Sequence, residues 1–324
     1  MSRLDFLDGT ETDRPPVAAG LMLMALFTLG FQDALVRIAA EDTSIWMFQI
    51  IRASGNLILI LLLARVVWGG LPKRPIVLWA VVARSLCMLG ALLFFFGGVR
   101  HLTLAEMAAG LYTFPIFVTV LSALVLGEKV GPQRIAAVAI GALGAGLILQ
   151  PGSAGFTPVK LMPVAAGCSY ACVVILTRRW CRRESPVTLA TGVAVCFFLA
   201  GLAGVVGLTA VPLPTAIRAE LPYLAIGWVD PVWTVVALAL TCSVLNLLSN
   251  IALAKAYQSA EASWLAPFDF SYLIFATFWG WMIFSDLPDI WMALGMVLIA
   301  GAGLFTAWRG RRARQRAAND PAAG

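Results

Sequence analysis

Apolar residues in this chain run for about twenty positions at a time and then give way to a short charged or prolyl interval. Ten such runs occur, near 16–38, 43–68, 75–98, 102–126, 132–150, 160–178, 186–210, 231–254, 261–284 and 289–308. A bilayer core about 30 Å thick takes about 20 helical residues at about 1.5 Å each, so every run predicts one spanning helix. The interval from Val211 to Asp230 is prolyl and mixed in polarity, which predicts a loop with at most one surface helix. No soluble domain is left over.

The pattern also repeats. Ala105-Glu106 recurs as Ala260-Glu261, Gly127-Glu128 as Ser285-Asp286, and Gly144-Ala145-Gly146-Leu147 as Gly301-Ala302-Gly303-Leu304, at separations of 155 to 158 residues. Pro16-Val17-Ala18-Ala19-Gly20 is echoed by Pro163-Val164-Ala165-Ala166-Gly167. Five spans per half is an odd number, so the second half enters the membrane from the opposite side and the halves form an inverted repeat, an arrangement found in transporters. The expected organisation is an N-terminal tail (1–15), a first five-helix repeat (16–152), a second (153–308) and a basic tail (309–324). The fold class is an all-α polytopic membrane protein with ten transmembrane helices as two inverted five-helix repeats.

Composition agrees. Hydrophobic residues make up 60% of the chain, charged residues 12%, and the mean hydropathy is +0.89, too apolar for a soluble protein of 324 residues. The net charge of +6 does not point to nucleic acid, because the basic residues sit in short clusters between apolar runs. With the N-terminus inside, 17 of the 23 Lys and Arg residues fall on the cytoplasmic side, which orients the chain with both termini cytoplasmic. The N-terminal segment has no basic n-region, so the first apolar run is read as a retained helix. Six cysteines without CxxC spacing and one histidine, His101, argue against a disulfide framework or a metal site, and no cofactor is expected.

The run from Arg84 to Gly152 holds a buried Arg, Ala105-Glu106 opening a helix, Pro115, the Leu126-Gly127-Glu128 turn and a glycine-rich helix ending in Leu149-Gln150-Pro151-Gly152. It resembles the EamA-type transporters of the drug/metabolite transporter superfamily, and the second half, with Pro267-Phe268 and Pro288, resembles their second unit. Ser285-Asp286 departs from the more usual Gly-Glu of that unit. The resemblance implies a ten-helix carrier in a bacterial-type inner membrane that moves small metabolites such as amino acids, nucleosides or vitamins, often outward. Its partners would be a small-molecule substrate and the lipid bilayer, with a homodimer left open.

Candidate site residues follow from polar and broken positions inside the runs. Pro115 and Pro267 occupy corresponding spans and free the carbonyls of Leu111 and Ser263; paired interruptions of this kind point to a midplane site, while plain kinking for packing is the other reading. Arg52 and Arg84 each lie about 13 Å into the membrane and need a partner, either a solute carboxylate or phosphate or an acid of the bundle. Asp33 stands four residues before Arg37, an i,i+4 pair that needs no solute. Glu106 lies in the first turn of its helix, where the dipole favours an acid. Asp269 has no such local account. Asp33, Glu106 and Asp269 are the candidates for ion coupling. Trp264, Phe268 and Tyr272 recur every four residues, and Tyr112 flanks Pro115; these line either a cavity or a packing face. Asn246 and Asn250 share a polar face with Ser243, for solute or for a neighbouring helix. The glycines Gly141, Gly144, Gly146, Gly295, Gly301 and Gly303 are read as allowing close helix packing.

The rival functions lack their chemistry. No GxxxxGK[ST] loop serves an ATP-driven pump, and no nucleophile with a base serves a membrane-embedded enzyme. A solute channel is the nearer alternative to a secondary transporter, and the inverted repeat favours alternating access.

Overall fold

The computed structural model describes residues 15–68, 74–127, 131–150, 156–260, 265 and 268–319. Among the described residues every regular element is helical: α1 (Pro15–Ala39), α2 (Ile45–Trp68), α3 (Leu78–Gly97), α4 (Leu104–Leu111), α5 (Phe114–Leu126), α6 (Pro132–Leu149), α7 (Met162–Arg179), α8 (Pro186–Ala210), α9 (Thr215–Glu220), α10 (Pro222–Ala225), α11 (Trp233–Ser259), α12 (Ser271–Phe284) and α13 (Ile290–Asn319). Among the described residues seven stretches are long and apolar enough to cross a membrane: those of α1, α2, α3, α7, α8 and α11, and α4 with α5 taken together. Ile135–Leu149, Ser271–Phe284 and Ile290–Phe305 are shorter apolar helices. Large apolar side chains face outward along them, among them Leu124, Leu143, Leu199, Ile274 and Val297. A surface of this kind is stable against lipid and costly against water. The protein is a multi-pass membrane protein.

Local chemistry accounts for where the helices begin and end. α4 opens with a capping box: the Glu106 backbone N–H donates to Thr103 Oγ1 at 3.1 Å, and the Thr103 N–H donates to Glu106 Oε2 at 2.9 Å. Ser185 caps α8 by accepting from the Thr188 N–H at 3.1 Å, and Asp289 accepts from the Met292 N–H at the start of α13. α5 ends at Gly127, whose φ of 68° is left-handed, and α12 ends at Ser285 with φ 60°. Ser285 thus holds the same left-handed conformation as Gly127, although a Cβ is disfavoured there.

Two expectations change. The span near 102–126 is not one continuous helix. It breaks at Tyr112 and Thr113, and Pro115 sits in the first turn of α5, where its missing N–H costs nothing. The 211–230 interval is more than a loop with one surface helix: it carries α9 and α10, and α10 buries Tyr223. Ser44 Oγ donates to the Gly227 carbonyl at 2.7 Å and Trp46 Nε1 to the Leu224 carbonyl at 2.8 Å, which fastens this segment over the start of α2.

Helix packing follows a paired scheme. α1 packs on α11 as α3 packs on α7; α1 packs on α12 as α7 packs on α5; α2 packs on α11 as α8 packs on α3. The remaining large contacts are α2 with α8, α6 with α13, α4 with α7 and α4 with α12. The glycines divide. A Cβ on Gly144 would lie 2.7 Å from the Gly295 carbonyl oxygen, one on Gly141 3.3 Å from Ile116, and one on Gly303 would overlap the Phe270 ring, so these positions and Gly295 pack closely. Gly146 and Gly301 meet nothing within 4 Å and carry no packing role, since they turn away from the α6–α13 crossing.

Candidate functional site

The break between α4 and α5 and the start of α12 face one another. Tyr112, at the C-cap of α4, stacks on Tyr272 of α12 with ring centroids 5.6 Å apart and planes 14° from parallel. Each hydroxyl crosses to a different part of the chain. Tyr112 Oη donates to the Asp269 backbone carbonyl at 2.7 Å, and Tyr272 Oη donates to the Asp33 carboxylate of α1. Phe270 packs on Tyr112 at 5.5 Å, Phe114 at 5.8 Å, and Tyr170 of α7 packs edge-on against Phe114 at 5.2 Å.

A cluster of polar groups lies beside this stack. Arg52 of α2 interacts electrostatically with Asp33, which also takes a hydrogen bond from the Gln32 side chain. Ser243 Oγ of α11 donates to the Arg52 backbone carbonyl at 2.9 Å, and the Cys242 thiol contacts the Gln32 carbonyl at 3.8 Å. Gln32 and Gln49 are 3% exposed, Arg52 8% and Tyr223 1%. Yet Gln32 Oε1, Gln49 Nε2, Arg52 Nε and Tyr223 Oη have no hydrogen-bond partner among the described residues. Burial pushes the Tyr223 phenol above its ordinary value, with Arg52 acting in the opposite direction, so it keeps its proton. Four buried, unpaired polar groups on three elements are a large penalty for packing alone, because each forfeits its hydration.

The predicted residues separate into three sets. Arg52, Asp33, Tyr112 and Tyr272 come together in this one place, and Asp269 adjoins it, with Tyr112, Tyr170 and Tyr257 as its electrostatic neighbours. Arg84, Glu106, Pro115, Asn246 and Asn250 are accounted for locally. Arg84 Nε donates to Thr177 Oγ1 at 2.8 Å across the α3–α7 contact. Glu106 is held by its capping box and by Lys160 Nζ at 3.2 Å, and Asn250 is exposed and donates to the Asn246 carbonyl at 2.7 Å. Trp264 and Pro267 lie outside the described residues, and Phe268 is partly buried against the core.

The expected Asp33–Arg37 pair does not form. Arg37 instead bonds to Asp286 in the turn after α12 and lies 4.1 Å over the Phe284 ring, which leaves Asp33 to Tyr272. Gln32, Gln49, Tyr170, Tyr223 and Tyr257 escaped the sequence reading. A signal was present for Gln49 alone, which precedes Arg52 by three residues on one helical face. A groove of about 650 Å³ between α12 and α13 is lined by Leu273, Thr277, Met296, Ala300 and other uncharged residues, so none of the charged candidates lines it. Among the described residues no cluster of three His, Cys, Asp or Glu could hold a metal ion.

Residues 17–150 match the EamA-like transporter family. A riboflavin transporter from Rhizobium johnstonii is 31% identical over 208 residues, which is 64% of this chain and 63% of that protein. The pseudopaline exporter CntI of Pseudomonas aeruginosa is 25% identical over 290 residues, 87% of this chain and 93% of its own length. One crystal structure of a protein superposes with a TM-score of 0.60 at 14% identity, covering 92% of this chain and 100% of the other, a likeness of fold.

Proposed function

Because the chain belongs over residues 17–150 to the EamA-like transporter family, we propose that it is a secondary active transporter of a small polar or amphipathic metabolite, working by alternating access. The observation that carries this reading is the meeting of Tyr112 and Tyr272, from the breaks of two corresponding spans, beside the buried Arg52, Gln32 and Gln49, each with one side-chain atom (Nε, Oε1 and Nε2) that has no partner among the described residues. Discontinuous helices that meet at mid-depth with polar groups around them suit a solute that must be bound away from both aqueous faces. The names of the relatives, a riboflavin transporter and a pseudopaline exporter, support a small-metabolite substrate without fixing its identity or direction.

The proposal includes ten spans in two inverted repeats, 16–152 and 153–308. It is supported by the packing scheme, in which spans five apart exchange roles: α1 with α11 against α7 with α3, and the broken spans against each other. The matching left-handed turns at Gly127 and Ser285 support it as well. The distribution of basic residues favours both termini in the cytoplasm and an inner-membrane location. Asp33 and Asp269 are the acids proposed for ion coupling, since Glu106 is committed to its cap.

Counterflow into proteoliposomes loaded with amino acids, nucleosides or vitamins tests the reading. Saturable, trans-stimulated uptake of one solute is expected. Flux that rises linearly with concentration and shows no trans-stimulation would make the protein a channel and overturn the carrier assignment.

A further inference from the structure

α12 and α13 are joined by the short turn 285–289, yet among the described residues α12 packs on α1 and α4, and α13 on α6, rather than on each other. By contrast α5 and α6 do pack together. The space left is the groove of about 650 Å³, bounded at one end by Leu287 and Pro288 and at the other by the Phe270 ring, which lies over Gly303 where a Cβ would overlap it. Apart from Ser271 and Thr277 every residue of its lining is apolar, and Thr277 Oγ1 is spent on the Leu273 carbonyl at 2.8 Å. Ile274, Trp281, Leu287 and Val297 are exposed along its mouth, so in a membrane it opens on the acyl chains.

The two ends of the groove differ in charge. Beside Leu287 and Pro288 stand Asp286, bonded to Arg37, and Asp289, whose hydrogen bonds come from neutral donors, the Gln150 amide at 3.1 Å and the Met292 N–H at 2.6 Å. Beyond Leu304, α13 continues through Arg309, Arg311, Arg312, Arg314 and Arg316, the first of them about 8 Å further along the axis at about 1.5 Å per residue. α6 runs antiparallel to α13, with Gly144 against Gly295 and Gly141 facing Ala302, so its first turn, which holds Arg134, starts at this same basic end. An apolar trough that leads to a group of cations just outside the hydrocarbon complements a lipid with a negative headgroup, and Asp289 opposes the reverse orientation. We propose that the α12–α13 groove is a binding site for one anionic phospholipid, with an acyl chain along the groove and the headgroup at the basic continuation of α13. Phe270 lines the groove and also packs on Tyr112 at 5.5 Å, so the bound chain lies one ring away from the tyrosine stack.

The test uses the full-length protein in phosphatidylcholine nanodiscs that contain a small fraction of phospholipid brominated on its acyl chains, which quenches tryptophan fluorescence on contact. Brominated phosphatidylglycerol is expected to quench at a fraction about fivefold lower than brominated phosphatidylcholine, the effect of one arginine at a headgroup, and high salt should narrow that gap. Trp281→Phe removes the indole on the groove wall and should remove most of the preferential quenching. Ala300→Phe fills the groove with a ring and should bring the two lipids within about twofold of each other, the lost preference of one arginine-held headgroup. Should Ala300→Phe fail to fold, Trp281→Phe decides the matter, since it only trims an exposed ring. Equal quenching by the two lipids in the unaltered protein overturns the proposal. So does a preference for phosphatidylglycerol that survives Trp281→Phe unchanged, which would place the lipid elsewhere. Two copies per nanodisc with no lipid preference would give the groove to a second copy of the chain and overturn it as well. The readout involves no transported solute, so it stands or falls apart from the carrier assignment.

Discussion

Gly144→Ala and Gly146→Ala lie two residues apart on α6, and the structure gives them opposite consequences. A Cβ on Gly144 would stand 2.7 Å from the Gly295 carbonyl oxygen, 3.0 Å from Ile299 Cγ1 and 3.1 Å from Leu298 Cβ. Ordinary contact begins at 3.4 Å, so the two backbones must part by about 0.7 Å or the oxygen must be crowded. Backbone cannot rotate away as a side-chain tip can, and in lipid no gain in hydrophobic burial offsets the lost packing. Overpacking of this kind costs about 1–3 kcal/mol. A Cβ on Gly146 meets nothing within 4 Å, so that variant keeps only the helix-propensity gain of alanine, up to about 1 kcal/mol. Because both variants share the propensity term, their difference isolates the crossing, and Gly146→Ala is expected to be the more stable by about 1–3 kcal/mol. Unfolding in mixed micelles, followed by tryptophan fluorescence, reads this difference. Gly295→Ala, whose Cβ would lie 2.6 Å from the Gly144 carbonyl oxygen, should fall with Gly144→Ala. Equal midpoints for Gly144→Ala and Gly146→Ala would mean that α6 and α13 do not cross on these glycines.

Ser285→Gly relieves a left-handed residue at φ 60° at the expense of a freer unfolded chain, and a net gain of about 0.5–1 kcal/mol is expected in the same unfolding measurement; a loss would assign the serine a contact that its geometry does not display. Arg84→Lys keeps the charge and replaces a guanidinium whose Nε bonds to Thr177, so substrate affinity in counterflow should stay within about twofold while stability falls by about 1 kcal/mol; a tenfold loss of affinity would return Arg84 to the binding site. Reporter fusions at Gly324 and in the 150–160 interval should give cytoplasmic and periplasmic signals respectively, and a periplasmic signal at Gly324 would refute the ten-span scheme.

The positions of most helices were legible in the sequence because in lipid a backbone group is best satisfied within its own segment, although the run at 102–126 breaks at Tyr112 and Thr113. The α4 cap was legible for a related reason: Thr103 and Glu106 are three residues apart, and a capping box needs nothing beyond its own turn. The 155-to-158-residue echo likewise carried the correspondence of the Gly127 and Ser285 turns. Polar partners were a different matter. Arg37 had an acid four residues away in Asp33, yet it bonds to Asp286, 249 positions along the chain, and Asp33 bonds to Tyr272, 239 positions along. Local spacing lists the partners within reach of one helix, whereas the choice among all partners depends on which helices the bundle sets side by side. The same holds for Arg52 and Arg84, which read alike in sequence. Packing of α3 on α7 gave Arg84 a hydroxyl, and the arrangement of α1, α2 and α11 left Arg52 buried with an unpaired Nε. The sequence by itself determined which stretches form helices and how their ends are capped. Only the tertiary structure decided which polar groups were satisfied by the protein and which were left for something else, because that depends on contacts between residues with no fixed separation along the chain.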